Sequence, residues 1–370
     1  MKRARSVRIF LALSLACILL LLFRPEEAAD AVRSGLLLCV RTVIPSLFPF
    51  MVLSELLILC GAGEVAGHIF SGPMKRLFGI SGAGSCSLFL GSVCGFPVGA
   101  RTAVSMYDKG LLSRREVEHL LTFSNNPSSA FLISAVGVTL LSSRALGVVL
   151  YGVSLFSAAL VGFAGHLLLS RKKERRAVSS PRSYPLYGGA ELFTGAVRSA
   201  AESVITVCAF VVFFSALLGT LTPLLGALHL PGAVHALLRG AVEMTGGVQA
   251  AAALPDPFCA AVLCAVLCGW SGLSVHLQII AVCGGRGISF FPYLIAKLAQ
   301  AILCGALVAL ILTLFPSLVS VAGEVNVGTF SFLPLTLPSA LTYPVDLIFL
   351  FALLLTPRRK RRIPPGGRHP

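Results

Sequence analysis

Residues 89–101 read FLGSVCGFPVGAR. The segment that leads in, from Ser81, is apolar enough to sit in lipid. Its last third, Gly95-Phe96-Pro97-Val98-Gly99-Ala100-Arg101, is what a plain membrane helix avoids. Glycine is conformationally loose, proline lacks a backbone donor, and arginine is costly in hydrocarbon. A span that ends this way is broken or re-entrant, and broken backbone at membrane depth must line a cavity or lie buried in protein.

Working outward, the whole chain is of membrane type. It has 370 residues, 56% hydrophobic and only 12% charged. A soluble domain carries about 25% charged residues. The expected fold is therefore an all-α, polytopic membrane helix bundle. Candidate spans of roughly 20 residues lie at 7–23, 44–61, 82–99, 128–142, 145–169, 203–222, 258–283, 291–315 and 341–356. Two of these, 82–99 and 128–142, are short or interrupted and read as re-entrant or broken.

Net charge is +15. The basic residues cluster in MKRARSVR at the start, RKKERRAVSSPR (171–182) and PRRKRR (357–362). No aromatics interleave with these runs, which argues against nucleic acid as a partner. They read as positive-inside anchors. If 82–99 enters and leaves by one face, eight crossings remain and both termini are cytoplasmic. Residues 1–23 resemble a signal peptide, but no A-x-A site follows, so they read as an uncleaved anchor.

The eleven cysteines lie in apolar runs without CxxC or zinc-ligand spacing, and they read as small packing residues. No metal or other cofactor is expected. GxSxG, Walker A and HExxH are all absent, so nothing points to an enzyme.

Ser113-Arg114-Arg115-Glu116 is a capping box that starts a helix with Val117, Leu120, Leu121 and Ser124 on one face. Arg115, Glu118 and Thr122 fall on the other. Asn125-Asn126-Pro127 should stop it. Residues 34–57 resemble 194–218, which suggests two repeats of inverted topology with a site at their interface. Full symmetry would make 258–275 re-entrant as well, at the cost of placing the basic C-terminus outside. The divisions that follow are an anchor at 1–29, repeats at 30–169 and 188–320, a basic cytoplasmic linker at 170–187, and a last span with a basic tail at 321–370.

Ala83, Ser87, Gly91, Gly95 and Gly99 recur every four residues, as do Ala260, Cys264, Cys268 and Gly272. On a continuous helix each set makes a smooth stripe for close packing. Both stripes run into a break, the second at Gly269-Trp270-Ser271-Gly272. The stripes serve either packing alone or packing plus a substrate-facing surface. Glu55 lies inside a span, where a carboxylate is functional or else reaches the interface. Arg101 either neutralises a substrate or Glu55, or snorkels to the interface. Glu243 reads as solvated, and His276 as a packing residue or a ligand contact.

GFPVGAR (95–101) followed by KGLLSRREVEHLLTFSNNPSSAFLISAVG (109–137) resembles the YlbJ-type sporulation integral membrane proteins of endospore-forming bacteria. That family shares a G-[YF]-P-x-G-[AS]-[KR] stretch, a basic-acidic helix and an Asn-rich turn. It is grouped with the nucleoside-recognition, or Gate, domain. The resemblance covers about residues 30–320 and its specific motifs about 89–137. It implies a role in endospore formation and recognition or passage of a small polar, nucleoside-like solute. Beside the lipid bilayer and that solute, it implies other sporulation membrane proteins or a second copy of the chain as partners. The site residues expected are Glu55, Gly95, Phe96, Pro97, Gly99, Arg101, Asn125, Asn126, Pro127, Gly269, Trp270, Ser271 and Gly272. The glycines would give backbone approach, Phe96 and Trp270 stacking or gating, and the Asn pair hydrogen bonds. A non-transporting scaffold and an ion or metal permease are the other function classes, the latter disfavoured by the lack of clustered His, Asp or Glu.

Overall fold

The computed structural model describes residues 2–169 and 189–320, all within one compact unit. The linker at 170–187, the span expected at 341–356 and the basic tail lie outside the described residues. All regular structure among the described residues is helical.

Helix α1 (Lys2–Phe23) is followed at once by α2 (Pro25–Leu38). Pro25 is tolerated because a first-turn N–H has no helical partner, and Glu26 and Glu27 face the positive end of the helix. A wide π turn (Cys39–Val43) leads into α3 (Ile44–Leu59). The chain then bends by 74° into α4 (Ala62–Ile69) at Gly61, whose φ of 89° suits glycine. Helix α5 (Ser71–Phe78) meets the 82–94 segment at 91°.

The stretch predicted as one interrupted span at 82–99 is two helices, α6 (Ser85–Cys94) and α7 (Val98–Asp108), folded back on each other as a hairpin. This corrects the reading of a single stripe. Gly95 and Pro97 end α6, so Gly91 and Gly99 do not stack along one helix. They face each other across the hairpin: a Cβ on Gly91 would lie 2.9 Å from Gly99 Cα.

Helix α8 (Arg114–Leu121) starts at the predicted capping box. Ser113 Oγ accepts from Glu116 N at 3.3 Å, and Glu116 Oε2 accepts from Ser113 N at 2.8 Å. The other Glu116 oxygen accepts from Ser81 N at 2.7 Å, which pins α8 to the entry of the hairpin. Val117, Leu120, Leu121 and Ser124 are buried as expected. Thr122, placed on the polar face by the sequence, is buried too, its hydroxyl donating to His119 O at 2.6 Å. Ser113→Ala should cost about 1 kcal/mol, the usual worth of an N-cap. Thermal melting of the purified protein in detergent would read it.

A π-helix (Ala130–Leu140) and α9 (Arg144–Leu169) complete the first half. The second half opens with α10 (Gly189–Ala227), then α11 (Gly232–Val242) and α12 (Met244–Ala252). Helix α10 has 39 residues where the sequence suggested a span at 203–222, because no breaker separates its amphipathic start from its apolar part. Glu243, expected to be solvated, caps α12 by accepting from Thr245 N at 2.8 Å and Gly246 N at 2.7 Å. Then come α13 (Pro257–Trp270), α14 (Gly272–Cys283), α15 (Phe291–Leu314) and the short α16 (Ser317–Ser320).

Both halves thus run through apolar helix, two short helices, and helix–break–helix. They differ at the break. Helices α13 and α14 run on as one apolar stretch of 27 residues, so 258–275 does not fold back as the α6–α7 hairpin does. Four stretches among the described residues are long and apolar enough to cross a membrane, or up to seven if each bent pair is one span. Helix α10 packs on α2 and α3, α7 on α14, and α15 on α9 and α13. One apolar core joins α9, α12, α13 and α15, with the free thiols of Cys264, Cys268 and Cys304 filling it as small side chains. A second joins α3, α6 and α10 around Met51, Leu90 and Val204.

Candidate functional site

The hairpin turn is held from behind by the Asn pair. Gly95 has φ 80°, and a Cβ there would lie 2.7 Å from Ser128 N. Asn125 Oδ1 accepts from Ala100 N at 2.8 Å, which satisfies a first-turn donor of α7. Its Nδ2 donates to Leu121 O at 3.1 Å, in the last turn of α8. Asn126 O accepts from Phe96 N at 3.0 Å, and Asn126 Nδ2 donates to Phe123 O at 2.9 Å. Ser87 Oγ bonds Gly99 O at 2.9 Å and Ser124 Oγ at 3.1 Å. Asn125 and Asn126 are each 1% exposed, so their amides brace the break from inside protein.

Two residues absent from the sequence-based site lock this turn to the second half. Lys297, in the second turn of α15 and 1% exposed, donates to Asn125 O and to Gln300 Oε1, both at 2.8 Å. Gln300 Nε2 donates to Asn126 Oδ1 at 2.7 Å and to Ser154 O at 3.3 Å. The signal was available: a lysine within the apolar run 291–315 is an intramembrane charge, the same argument that singled out Glu55.

In front of the hairpin lies a cavity of about 470 Å³. Its walls carry Glu55 from α3, Arg101 and Asp108 from α7, Lys109 at the end of α7, Glu202 from α10, and Arg286 from the loop after α14. Three carboxylates and three cations thus face one space. Lys109 Nζ stands 3.7 Å from Glu55 Oε1, which also accepts from Ser105 Oγ at 3.3 Å. Arg286 clasps Asp108 with two bonds, 2.8 and 2.7 Å. That carboxylate pushes the guanidinium of Arg286 above its usual range. Arg101 Nη2 donates to Ser199 O at 2.6 Å and to Ser199 Oγ, and its Nε, buried, has no hydrogen-bond partner.

The structure therefore divides the expected site residues into groups. Glu55, Pro97 and Arg101 line the cavity. Gly95, Gly99, Asn125, Asn126 and Pro127 are buried behind it as its scaffold, and Phe96 packs against the α9–α12–α13–α15 core. Gly269, Trp270, Ser271 and Gly272 stand apart from the cavity lining. A Cβ on Gly269 would lie 2.7 Å from Ala301 Cα, so this glycine lets α15 approach α13. A Cβ on Gly272, where φ is 80°, would lie 2.9 Å from Met244 N, at the α11–α12 junction. Ser271 turns the chain with φ 75° and donates to Cys268 O at 3.2 Å. Trp270 donates to Ala241 O at 3.2 Å and stacks edge-on against His276 with centroids 4.4 Å apart. His276 in turn bonds the hydroxyl of Tyr293 at 2.9 Å. Among the described residues no three His, Cys, Asp or Glu side chains converge as a metal site would need.

Residues 40–165 match the Gate family, described as nucleoside recognition. That match holds the hairpin, the Asn turn and four of the six cavity charges. Fold and match together define a multi-pass membrane helix bundle in which one stretch, 40–165, is similar to the Gate family. The chain is similar to the sporulation integral membrane protein YlbJ of Bacillus subtilis (strain 168). The two are 28% identical over 321 residues, covering 78% of each chain. No solved structure matches the chain significantly.

Proposed function

We propose that this protein serves endospore formation from within the cell membrane, and that its cavity recognises or passes a small polar, nucleoside-like solute. It is not an enzyme in this reading. The observation that carries it is the cavity itself: about 470 Å³ of charged and hydroxyl-lined space in an otherwise apolar bundle. Ligand sites typically enclose about 300–1,000 Å³. Arg101, Glu55 and Ser105 offer donors and acceptors to the solute, while the Asn pair fixes the broken backbone next to them. The match to a family described as nucleoside recognition supports the solute class, and the likeness to a sporulation protein supports the process.

In this reading 30–169 and 188–320 are two Gate-like repeats of inverted topology. They are joined by the cytoplasmic linker 170–187 and flanked by the anchor 1–29 and the tail 321–370. Both termini face the cytoplasm.

A deletion strain complemented with variants tests the process and the site together. Arg101→Ala and Asn125→Ala should each abolish most spore formation with the protein still in the membrane. A protein that only scaffolds others should tolerate Arg101→Ala, because among the described residues this side chain hydrogen-bonds only Ser199, inside the bundle. If both variants sporulate normally and liposomes carrying the protein take up no labelled nucleoside, the proposal is wrong. Gly95→Ala and Gly99→Ala do not separate these readings, since both glycines are sterically required for the hairpin.

A further inference from the structure

The loop between α14 and α15 crosses from the second half to the first and is fastened there at two points. Arg286 presents Nε and Nη2 to the two oxygens of Asp108, the parallel fork that gives guanidinium–carboxylate pairs their directionality. Its remaining nitrogen, Nη1, donates to Gly284 O at 3.1 Å and Val282 O at 3.3 Å, so the same side chain also staples its own loop. Three residues on, Ser289 N donates to Glu118 Oε1 at 2.8 Å, and Glu118 is held by Arg114 at 2.9 Å.

This fastening sits at the cavity. Asp108 and Arg286 both line it, next to the Lys109–Glu55 pair. Their side chains are 45% and 33% exposed, which places the pair at the rim in contact with water. An ion pair of this exposure adds little to net stability and is weakened by salt. Gly285 and Gly287, at φ 74° and 66°, flank Arg286, and a Cβ on Gly285 would meet nothing within 4 Å. Arg286 thus sits between two residues of flexible backbone, and neither apolar core includes a residue of this loop.

We propose that the Arg286–Asp108 pair is a latch that closes one mouth of the cavity, and that its release opens the cavity from the side of the 284–290 loop. The inference rests on the cavity of the proposed function but not on the nature of any solute. The latch can fail its test while solute recognition stands, and the reverse.

The test uses the full chain in detergent with Ser203→Cys on the α10 wall as reporter, and a membrane-impermeant charged maleimide as probe. The labelling of the chain without the reporter is subtracted. Asp108→Asn and Arg286→Gln should each speed reporter labelling roughly tenfold, a modest population shift toward the open state. The reversed pair, Asp108→Arg with Arg286→Asp, should return the rate to near that of the reporter alone. High salt should speed labelling in the chain with the native pair, by screening it. That arm decides the matter if a single variant does not elute as folded protein. Labelling that neither the variants nor salt change would overturn the latch, as would a reversed pair that labels as fast as the singles.

Discussion

Gln300→Met should lower the melting temperature sharply. Gln300 supplies one of the two oxygens that hold the buried Lys297 ammonium, and its amide nitrogen bonds Asn126 Oδ1 and Ser154 O. Methionine matches its length, so little packing is lost. What is lost is polar. Hydrogen bonds to charged groups contribute about 1.5–3 kcal/mol, and a stranded neutral acceptor costs about 1–3 kcal/mol. Together these predict a loss of about 3–5 kcal/mol, the range seen when a buried charge loses a partner. The double variant Lys297→Met, Gln300→Met removes the charge along with its ligand. It should therefore melt above Gln300→Met alone, a coupling that only residues in one network show. The buried thiols of Cys264, Cys268 and Cys304 give a readout, since they react with a thiol dye only on unfolding. A single variant that melts with the parent, or a double variant that melts below it, would sink the argument.

Gly91→Ala and Gly99→Ala should each prevent correct closure of the hairpin, although alanine is the better helix former. At both positions the added Cβ would overlap Ser124 O, a backbone atom that cannot rotate away. Overpacking costs about 1–3 kcal/mol where side chains can yield, and more is expected against backbone. Gly152→Ala in α9 is the matched control, with nothing within 4 Å of the new methyl. There the helix propensity gain of about 0.5–1 kcal/mol should appear undiminished. The two kinds of glycine should therefore shift the melting temperature in opposite directions. Equal shifts would mean that the close approach of Gly91 and Gly99 does not constrain the fold.

Much of the local structure was legible in the sequence because its causes are local. The capping box at Ser113–Glu116 sets the start of α8 through bonds that span three residues. Helix α8 ends at Leu121, a few residues before the stop expected at Asn125-Asn126-Pro127, and the apolar runs give the long helices. The path of the chain between those helices was not legible in the same way. A repeat of small residues every four positions describes a face only if the helix continues. At Gly95 it does not, so the stripe from Ala83 to Gly99 folds onto itself. The second stripe continues, yet its glycines meet Ala301 and the Gly240–Met244 junction, partners that no nearby residue announces. The site shows the same division. Glu55 and Arg101 stood out as charges in apolar sequence and do share a cavity. Arg286 and Asp108 were not singled out from the sequence, and only the fold places them at one rim. Lys297 could have been flagged by its setting, but not its partners, since Asn125 lies 172 residues away.

The turn at Asn125 is a shared joint. Its side chain serves the first half and its carbonyl oxygen serves a lysine of the second. The stretch that matches the Gate family therefore lacks self-sufficiency. Cut free, it would keep the shape of its hairpin turn while leaving Asn125 O and Asn126 Oδ1 facing no donor. Two contacts of opposite character thus join the halves: this one is sealed from water, and the Arg286–Asp108 pair is open to it and to salt.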